Sequence, residues 1–305
     1  MKQKIALALG SGGARGLAHI GVIEELEKQN FEITSISGCS MGTLIAGFYA
    51  MGKLNVYKEW VSTLRKRDVY SLMDITLSQN GLLKGERVFN KMKEMIPDML
   101  IEDMNIPFAA VATDINNQEE VVFTSGSFYT AARASIAIPA IFTPFTSGNK
   151  IFVDGGLLNP VPVNHLKRTD GDLLVAVNLY DTQPPTENPD NDKKENPGNK
   201  PEKQNSQKPM HVNSSIEYLQ NKIRELLPKS DNKIQGHLNL LQLTSSMMLT
   251  RISNLQLELN KPDILISIPA DAAKTFEFYK ANQLIKEGTE KAQEAINAYK
   301  NRQKS

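Results

Sequence analysis

Short apolar runs alternate with helical patterns through the first half of this chain of 305 residues. Residues 5–9, Ile-Ala-Leu-Ala-Leu, form a continuous apolar run that ends in glycines, which is typical of a strand buried on both faces. Apolar residues then recur at helical spacing from Leu17, with charged residues between them. Strands separated by helices imply parallel strands joined by right-handed crossovers. The sequence therefore predicts a layered α/β domain with its reactive groups at the carboxyl ends of strands.

Periodicity predicts the other elements in the same way. Further strands are predicted at residues 33–37, 108–113, 120–124, 150–153, 173–179 and 264–268. Further helices are predicted at residues 41–51, 57–67, 86–95, 216–226, 234–259 and 282–301. The basic run at residues 65–67 is followed at once by Asp68 and is interpreted as a solvated helix end. The apolar stretch at residues 238–249 is expected to pack on the sheet, and contact with a membrane is the alternative.

The composition changes between Thr182 and Val212, where Pro, Asn, Lys, Glu and Gln dominate and the charges balance. Such a segment cannot bury enough apolar surface to offset the entropy lost when it becomes ordered. We therefore predict a catalytic core at residues 1–181 and a polar, disordered insertion at residues 182–212. A mainly helical part at residues 213–305 is predicted to complete the same domain.

The bulk composition excludes several classes of function. The net charge is +1 and no basic stripe is present, so no nucleic-acid partner is expected. The single cysteine, Cys39, excludes a disulfide framework and favours a reducing compartment. No run approaches the roughly 20 apolar residues of a transmembrane helix, so a cytoplasmic protein is expected. No cluster of metal ligands is visible, and we expect neither a metal nor another cofactor. The oligomeric state is left open.

Residues 38–42 form the pattern G-x-S-x-G after a predicted strand and before a predicted helix. This is the context of a nucleophile elbow, a turn so sharp that only small residues fit on either side of the serine. Gly38 and Gly42 would allow the turn, and Ser40 would be lifted clear of the backbone. The following helix N-terminus favours developing negative charge. The alternative is a plain strand-to-helix turn with a serine cap.

A second glycine-rich turn, residues 10–16, also joins a predicted strand to a predicted helix. Consecutive glycines allow backbone amides to converge on one point, as an oxyanion requires. A dinucleotide-binding loop is disfavoured because Ser11 and Arg15 stand where its spacing needs glycine. A Walker loop is excluded because no Gly-Lys-Ser/Thr follows. A tight turn with no ligand remains the alternative.

Asp154 directly follows a predicted strand and precedes Gly155 and Gly156. Alone, this pattern is a common turn. A serine nucleophile needs a base, however, and none of the four histidines lies in a motif. A triad of Ser40, Asp154 and His165 has the chain order of an α/β-hydrolase, although that fold places more strands before its elbow.

Taken together, these motifs resemble the patatin-like phospholipase family over about residues 4–180. The resemblance rests on the glycine-rich turn with its arginine, the G-x-S-x-G, the block at residues 131–140, and Asp154-Gly155-Gly156 followed by Asn-Pro-Val-Pro at residues 159–162. It implies a three-layer α/β/α sandwich with a mostly parallel central sheet. It also implies a Ser–Asp dyad without histidine. One departure is visible, since Ser11 stands where the family commonly has the first of three glycines.

The resemblance assigns a role to each matching position. Ser40 is the expected nucleophile, and Asp154 is the expected acid and base. The amides of Gly12, Gly13 and Met41 are the expected oxyanion hole. The remaining motif residues are expected to shape and support these loops: Gly10, Arg15, Gly16, Gly38, Gly42, Gly155 and Gly156.

The expected function is hydrolysis of fatty-acyl esters of phospholipids, lysophospholipids or related lipids. The apolar block at residues 133–144 is expected to help line an acyl pocket. A carboxylesterase or thioesterase for small esters is one alternative, and a lipid-responsive regulatory module with residual hydrolysis is another. The expected partner is a lipid or acyl-ester substrate, with peripheral contact at a membrane surface.

Overall fold

The computed structural model describes residues 2–76, 81–181 and 232–304, with the backbone alone described at residues 232–243. The predicted insertion at residues 182–212 and the predicted helix at residues 216–226 lie outside this part of the chain. The strands are β1 (Gln3–Leu9), β2 (Phe31–Cys39), β3 (Phe108–Asp114), β4 (Glu119–Phe123), β5 (Phe145–Ser147), β6 (Lys150–Asp154), β7 (Leu173–Asp181) and β8 (Ile264–Pro269). The helices are α1 (Ala18–Lys28), α2 (Met41–Ala50), α3 (Leu54–Thr63), α4 (Lys66–Ser71), α5 (Glu86–Met95), α6 (Phe128–Ser135), α7 (Asn232–Asn260) and α8 (Ala281–Arg302).

The strands of the described residues form one sheet in the order β5-β6-β3-β2-β1-β7-β8, and β4 also pairs with β3. The pairings from β3 through β2, β1 and β7 to β8 are all parallel. The strands β4 and β6 pair with β3 in the antiparallel direction, and β5 pairs with β6 in the same way. The predicted parallel sheet is therefore the centre of the fold, and one edge is antiparallel.

Helices cover both faces of this sheet, which gives the predicted α/β/α layers. Alternate residues of β1, such as Ile5 and Leu7, join a large apolar cluster with α1, α2 and α8 on one face. Ala8 points to the other face, where a smaller cluster contains Val161 and Leu257 of α7. Burial on both faces explains why β1 is a continuous apolar run rather than an alternating one.

One predicted helix is wrong in its extent. The pattern predicts a single helix at residues 57–67, whereas α3 ends at Thr63 and α4 begins at Lys66. The chain is extended at Leu64 and Arg65. The carboxylate of Asp68 accepts a hydrogen bond from the amide of Arg65 at 2.9 Å, which caps the N-terminus of α4. The basic run is therefore the junction between two helices rather than the end of one.

Two observations concern the surface of the described residues. No helix there is long and apolar enough to cross a membrane. Met247 and Met248 of α7 are 64% and 59% exposed, so these two residues do not pack on the sheet as predicted for the stretch 238–249. The side chains of residues 238–243 lie outside the described part.

Candidate active site

Ser40 occupies the sharp turn between β2 and α2. Its backbone has φ 53° and ψ −123°, a conformation that a residue with a Cβ adopts only under strain. Its carbonyl accepts a hydrogen bond from the amide of Thr43 at 2.9 Å, which closes the first turn of the helix. This strained strand-to-helix turn is the geometry expected of a nucleophile elbow.

The glycines of the G-x-S-x-G are required by close packing of the backbone. A Cβ on Gly38 would lie 2.5 Å from the carbonyl carbon of Gly42 and from the amide nitrogen of Thr43. A Cβ on Gly42 would collide with the carbonyl oxygen of Leu9 at the end of β1. The elbow thus packs directly against the strand that leads into the glycine-rich turn.

A serine outside the G-x-S-x-G and the two glycine-containing turns, Ser135, holds the elbow from the other side. The amide of Ser40 donates a hydrogen bond to Oγ of Ser135 at 2.9 Å, and the hydroxyls of Thr43 and Ser135 are 2.8 Å apart. Ser135 is the last residue of α6 and is fully buried. It belongs to the block at residues 131–140 that carries the family resemblance. That block was the sequence signal from which a role for Ser135 could have been inferred.

Asp154 reaches the elbow because β6 is antiparallel to β3. In the register of the sheet, Cys39 lies opposite Val111 and Asp154 lies opposite Ala112. The strand β6 therefore runs from the carboxyl edge back into the sheet and ends level with the elbow. The amide of Asp154 donates to the carbonyl of Ala137 at 2.9 Å, which fixes the end of the strand.

Asp154 is 6% exposed, and its carboxyl group makes few hydrogen bonds. Its Oδ1 accepts a hydrogen bond from the amide of Gly156 at 2.8 Å and lies 3.9 Å from Sγ of Cys39. Its Oδ2 has no hydrogen-bond partner among the described residues. Burial raises the pKa of Asp154 to about 6, and interactions with Ser40, Gly156 and Cys39 oppose that rise. Ser40 thus influences the pKa of this carboxyl, although no hydrogen bond of ordinary geometry joins the two side chains.

The glycine-rich turn presents free amides beside the elbow. The amides of Gly10 and Ser11 donate to the carbonyls of Val177 and Pro160 at 3.0 and 2.8 Å. Among the described residues, no backbone carbonyl accepts from Gly12, Gly13 or Met41. Such unpaired amides at a turn and at a helix N-terminus are the donors that an oxyanion needs.

The glycines of this turn are also constrained by packing. Gly13 has φ 57°, in the left-handed region that favours glycine. A Cβ on Gly10 would lie 2.6 Å from the carbonyl oxygen of Val177. A Cβ on Gly16 would lie 2.6 Å from Cβ of Met41, so the turn and the elbow helix touch there. Gly155 is similarly packed against the backbone of Val111.

Arg15 supports this turn through its guanidinium group. Its Nε donates to the carbonyl of Gly12 at 3.2 Å, and its Nη1 donates to the carbonyls of Leu179 and Ala270 at 2.8 and 2.9 Å. The guanidinium also lies over the ring of Tyr180, 4.9 Å from its centroid. Arg15 therefore ties the glycine-rich turn to the ends of β7 and β8.

The two histidines with described side chains lie in other contacts. His19 is fully buried and its Nε2 is 2.8 Å from the carbonyl oxygen of Gly10. Burial lowers the pKa of His19 to about 4, so the ring is neutral. His165 pairs with Glu120 at 2.9 Å, and none of its described contacts joins it to Ser40 or Asp154. The described residues also contain no group of three or more His, Cys, Asp or Glu side chains able to hold a metal ion.

A largely apolar cavity opens at Ser40. Gly13, Ser40 and Met41 line it together, so the elbow and the glycine-rich turn meet at its wall. The rest of its lining comes mostly from apolar side chains, among them Leu44, Tyr57, Trp60, Val61, Leu64, Val88, Met92, Ile136, Ile138, Phe142, Phe276 and Phe278. The block at residues 133–144 thus contributes to the cavity as predicted. Arg133, the first residue of this block, does not line the cavity. Its guanidinium group instead donates to the carbonyls of Lys84 and Thr143.

Comparison with known proteins places this chain among relatives that are mostly longer. An uncharacterised NTE family protein of Mycobacterium bovis is 39% identical over 176 residues, which are 58% of this chain and 49% of that protein. A lysophospholipase of Yarrowia lipolytica is 29% identical over 185 residues, which are 58% of this chain and 13% of that protein. The chain therefore spans half or less of the length of these relatives.

Two further comparisons concern a solved structure and a family model. Among solved structures, VipD from Legionella pneumophila superposes with a TM-score of 0.42 at 12% sequence identity, covering 98% of this chain and 67% of that one. The family model described as patatin-like phospholipase matches residues 7–167, which is more than half of the chain and includes the glycine-rich turn, Ser40 and Asp154. The chain therefore belongs to the patatin-like phospholipase family.

Proposed function

We propose that this chain hydrolyses fatty-acyl esters of phospholipids, lysophospholipids or related lipids through Ser40 and Asp154. The observation that carries the proposal is the apolar cavity that opens at Ser40. A cavity of this character excludes water and accepts a hydrocarbon chain, while the serine at its wall meets the ester carbonyl. The similarity to a lysophospholipase of Yarrowia lipolytica supports the same class of substrate.

The first half of the reaction forms an acyl-enzyme. Oγ of Ser40 attacks the ester carbonyl carbon, and the ionised Asp154 takes the hydroxyl proton. The carbonyl oxygen becomes an oxyanion and is stabilised by the free amides of Gly12, Gly13 and Met41. The carbon–oxygen bond to the leaving alcohol then breaks, and Asp154 returns its proton to that alcohol.

The second half regenerates the enzyme. Asp154 takes a proton from a water molecule as the water attacks the acyl carbonyl carbon, and the same amides stabilise the second oxyanion. The bond to Oγ of Ser40 breaks, the proton returns to Oγ, and the fatty acid leaves. The raised pKa of Asp154, about 6, makes its carboxylate a stronger base than an exposed aspartate.

The test is turnover of chain-length-graded p-nitrophenyl esters and a lysophospholipid by wild type and three variants. We expect Ser40→Ala and Asp154→Asn to abolish turnover. His165→Ala should retain turnover and is the matched control, because His165 is a polar residue in the segment that follows Asp154. Loss of turnover in His165→Ala would replace the dyad by a triad. A preference for the shortest esters would favour a small-ester carboxylesterase or thioesterase. No turnover by wild type would favour the regulatory module.

We also propose peripheral contact between this protein, in the cytoplasm, and a lipid surface. Leu157 and Leu158 follow Asp154 and are partly exposed, and Gly156 packs near Leu249 of α7. Met247 and Met248, on the same helix, are exposed. The expected result is that Met247→Ser/Met248→Ser weakens cosedimentation with phosphatidylcholine vesicles without changing turnover of a soluble short-chain ester. Equal cosedimentation of variant and wild type would contradict the contact.

A further inference from the structure

The segment from residue 270 to residue 280, which joins β8 to α8, lies outside the residues that match the family model. Glu277 clamps this segment from within. Its carboxylate accepts from the amide of Lys274 at 3.0 Å, from Nζ of Lys280 at 2.7 Å and from the hydroxyl of Tyr279 at 3.0 Å. These bonds lower the pKa of Glu277 although burial opposes them, so the carboxylate stays ionised. The segment is therefore a turn fixed by the hydrogen bonds of Glu277, with Phe276 before this residue and Phe278 after it.

Two bonds tie this turn to the glycine-rich turn of the candidate active site. The carbonyl of Thr275 accepts from the amide of Ala14 at 3.0 Å, and the carbonyl of Ala270 accepts from Arg15 at 2.9 Å. Thr275 also packs against Gly13, since a Cβ there would lie 3.0 Å from Cγ2 of Thr275. These contacts fix Thr275 against the turn that supplies the proposed oxyanion donors. Phe276 follows Thr275 directly in the chain and is therefore held close to that turn.

Phe276 and Phe278 form part of the wall of the cavity that contains Ser40. Phe276 is 5% exposed and joins an apolar cluster with Leu83, against which Phe142 packs. A wall made of large, rigid rings limits how much hydrocarbon the cavity accepts, because close-packed interiors yield little space without a change in side-chain volume.

We propose that Phe276 and Phe278 set the length of acyl chain that this cavity accepts. This inference rests on the proposed function and extends it, because it assigns chain-length selection to a segment beyond the matched family region. Removing either ring opens the cavity and admits a longer chain. Enlarging the ring at residue 276 shortens the chain that fits.

The experiment compares kcat/KM for p-nitrophenyl palmitate and p-nitrophenyl octanoate. We expect Phe276→Ala and Phe278→Ala to raise the ratio of palmitate to octanoate by about tenfold, and Phe276→Trp to lower it. Phe276→Leu removes less volume and gives a second test if the alanine variant does not fold. The control is Phe31→Ala, since Phe31 is buried to a similar degree, 4% exposed, but lies outside the cavity lining.

A second readout does not depend on turnover. Displacement of a fluorescent fatty acid by saturated fatty acids of graded length is measured on Ser40→Ala with and without Phe276→Ala. If wild type turns over no ester but Phe276→Ala still shifts the preferred fatty-acid length, the proposed hydrolysis is wrong, whereas the role of Phe276 in the cavity wall is supported. If wild type is active, the kcat/KM ratio of Phe276→Ala and Phe278→Ala equals that of Phe31→Ala, and Phe276→Ala does not shift the preferred length in the Ser40→Ala background, the assignment of Phe276 and Phe278 is wrong. If neither turnover nor length-dependent binding is found, both proposals fail.

Discussion

The hydroxyl oxygen of Ser135 accepts a hydrogen bond from the amide of Ser40 at 2.9 Å. Ser135 ends α6 and Ser40 lies at the start of α2, so this bond joins two helices at the strained elbow. The same oxygen is 2.8 Å from the hydroxyl of Thr43. Ser135 therefore contacts the backbone of the proposed nucleophile without being near enough in sequence to belong to its motif.

Ser135→Ala should lower kcat more than it changes KM. The variant leaves the amide of Ser40 unpaired in a buried position, which costs about 1–3 kcal/mol and lets the elbow shift. A small misplacement of the nucleophile lowers kcat by about ten- to a hundredfold. Steady-state kinetics and thermal unfolding measure the two effects. The control is Thr43→Val, which removes a hydroxyl from the same cluster but keeps the hydrogen bond from the amide of Ser40 to Oγ of Ser135. If kcat falls by the same factor in both variants, Ser135 does not position the elbow.

The pH dependence of kcat/KM should report Asp154. The carboxyl must be ionised to accept the proton of Ser40, and its pKa is about 6 because it is buried. We therefore expect kcat/KM to rise about tenfold per pH unit below this pKa and to level off above it. Cys39→Ala removes one of the interactions that hold this pKa down, and the rising limb should move to higher pH. A profile that is flat from pH 5 to 8 contradicts the assignment.

Asp154→Asn should stabilise the protein above pH 6 although it abolishes turnover. The pKa of Asp154 is higher in the folded chain, about 6, than the 3.8 of an ordinary aspartate. Between these values the folded chain binds more protons than the unfolded one, so the free energy of unfolding falls as pH rises. A shift of about two units corresponds to roughly 3 kcal/mol, and the gain from the neutral amide is expected to be about 1–3 kcal/mol.

Chemical unfolding of wild type and Asp154→Asn at pH 4 and pH 7 measures this effect. The asparagine keeps the oxygen that accepts from the amide of Gly156, so the local hydrogen bond is preserved. The difference between the two proteins should be small at pH 4 and favour the variant at pH 7. A difference that is the same at both pH values would show that the buried charge is not its cause.

The elements with a local signature could be predicted from the sequence. Burial of β1 on both faces leaves a continuous apolar run, and the sharp turn at Ser40 leaves glycines on both sides of it, so each feature marks a few consecutive residues, and the structure has both as expected. The helix α6 was not predicted because it spans only residues 128–135, about two turns, which is too short for a clear helical periodicity. Its N-cap was a usable signal, since Ser127 accepts a hydrogen bond from the amide of Thr130 at 3.1 Å.

Pairing between distant segments could not be predicted in this way. Asp154 lies level with the elbow of Ser40 only because β6 is antiparallel to β3, and nothing in the sequence of β6 indicates that direction. The contact between Thr275 and the amide of Ala14 joins residues more than two hundred positions apart. The family resemblance supplied the pairing of Ser40 with Asp154, and their catalytic roles stay predictions. It gave no information on Phe276, which lies beyond the matched residues.

Ser40→Gly should be more stable than Ser40→Ala. Both variants remove the same hydroxyl, so they differ only in the Cβ at φ 53° and ψ −123°. Strain at such a position costs about 1–3 kcal/mol, whereas glycine adds about 0.5–1 kcal/mol of entropy to the unfolded chain. Strain is the larger effect, and we expect Ser40→Gly to exceed Ser40→Ala by up to about 2 kcal/mol in urea unfolding. If Ser40→Ala is the more stable variant, the elbow is not strained, and the position of the nucleophile must be held by packing alone.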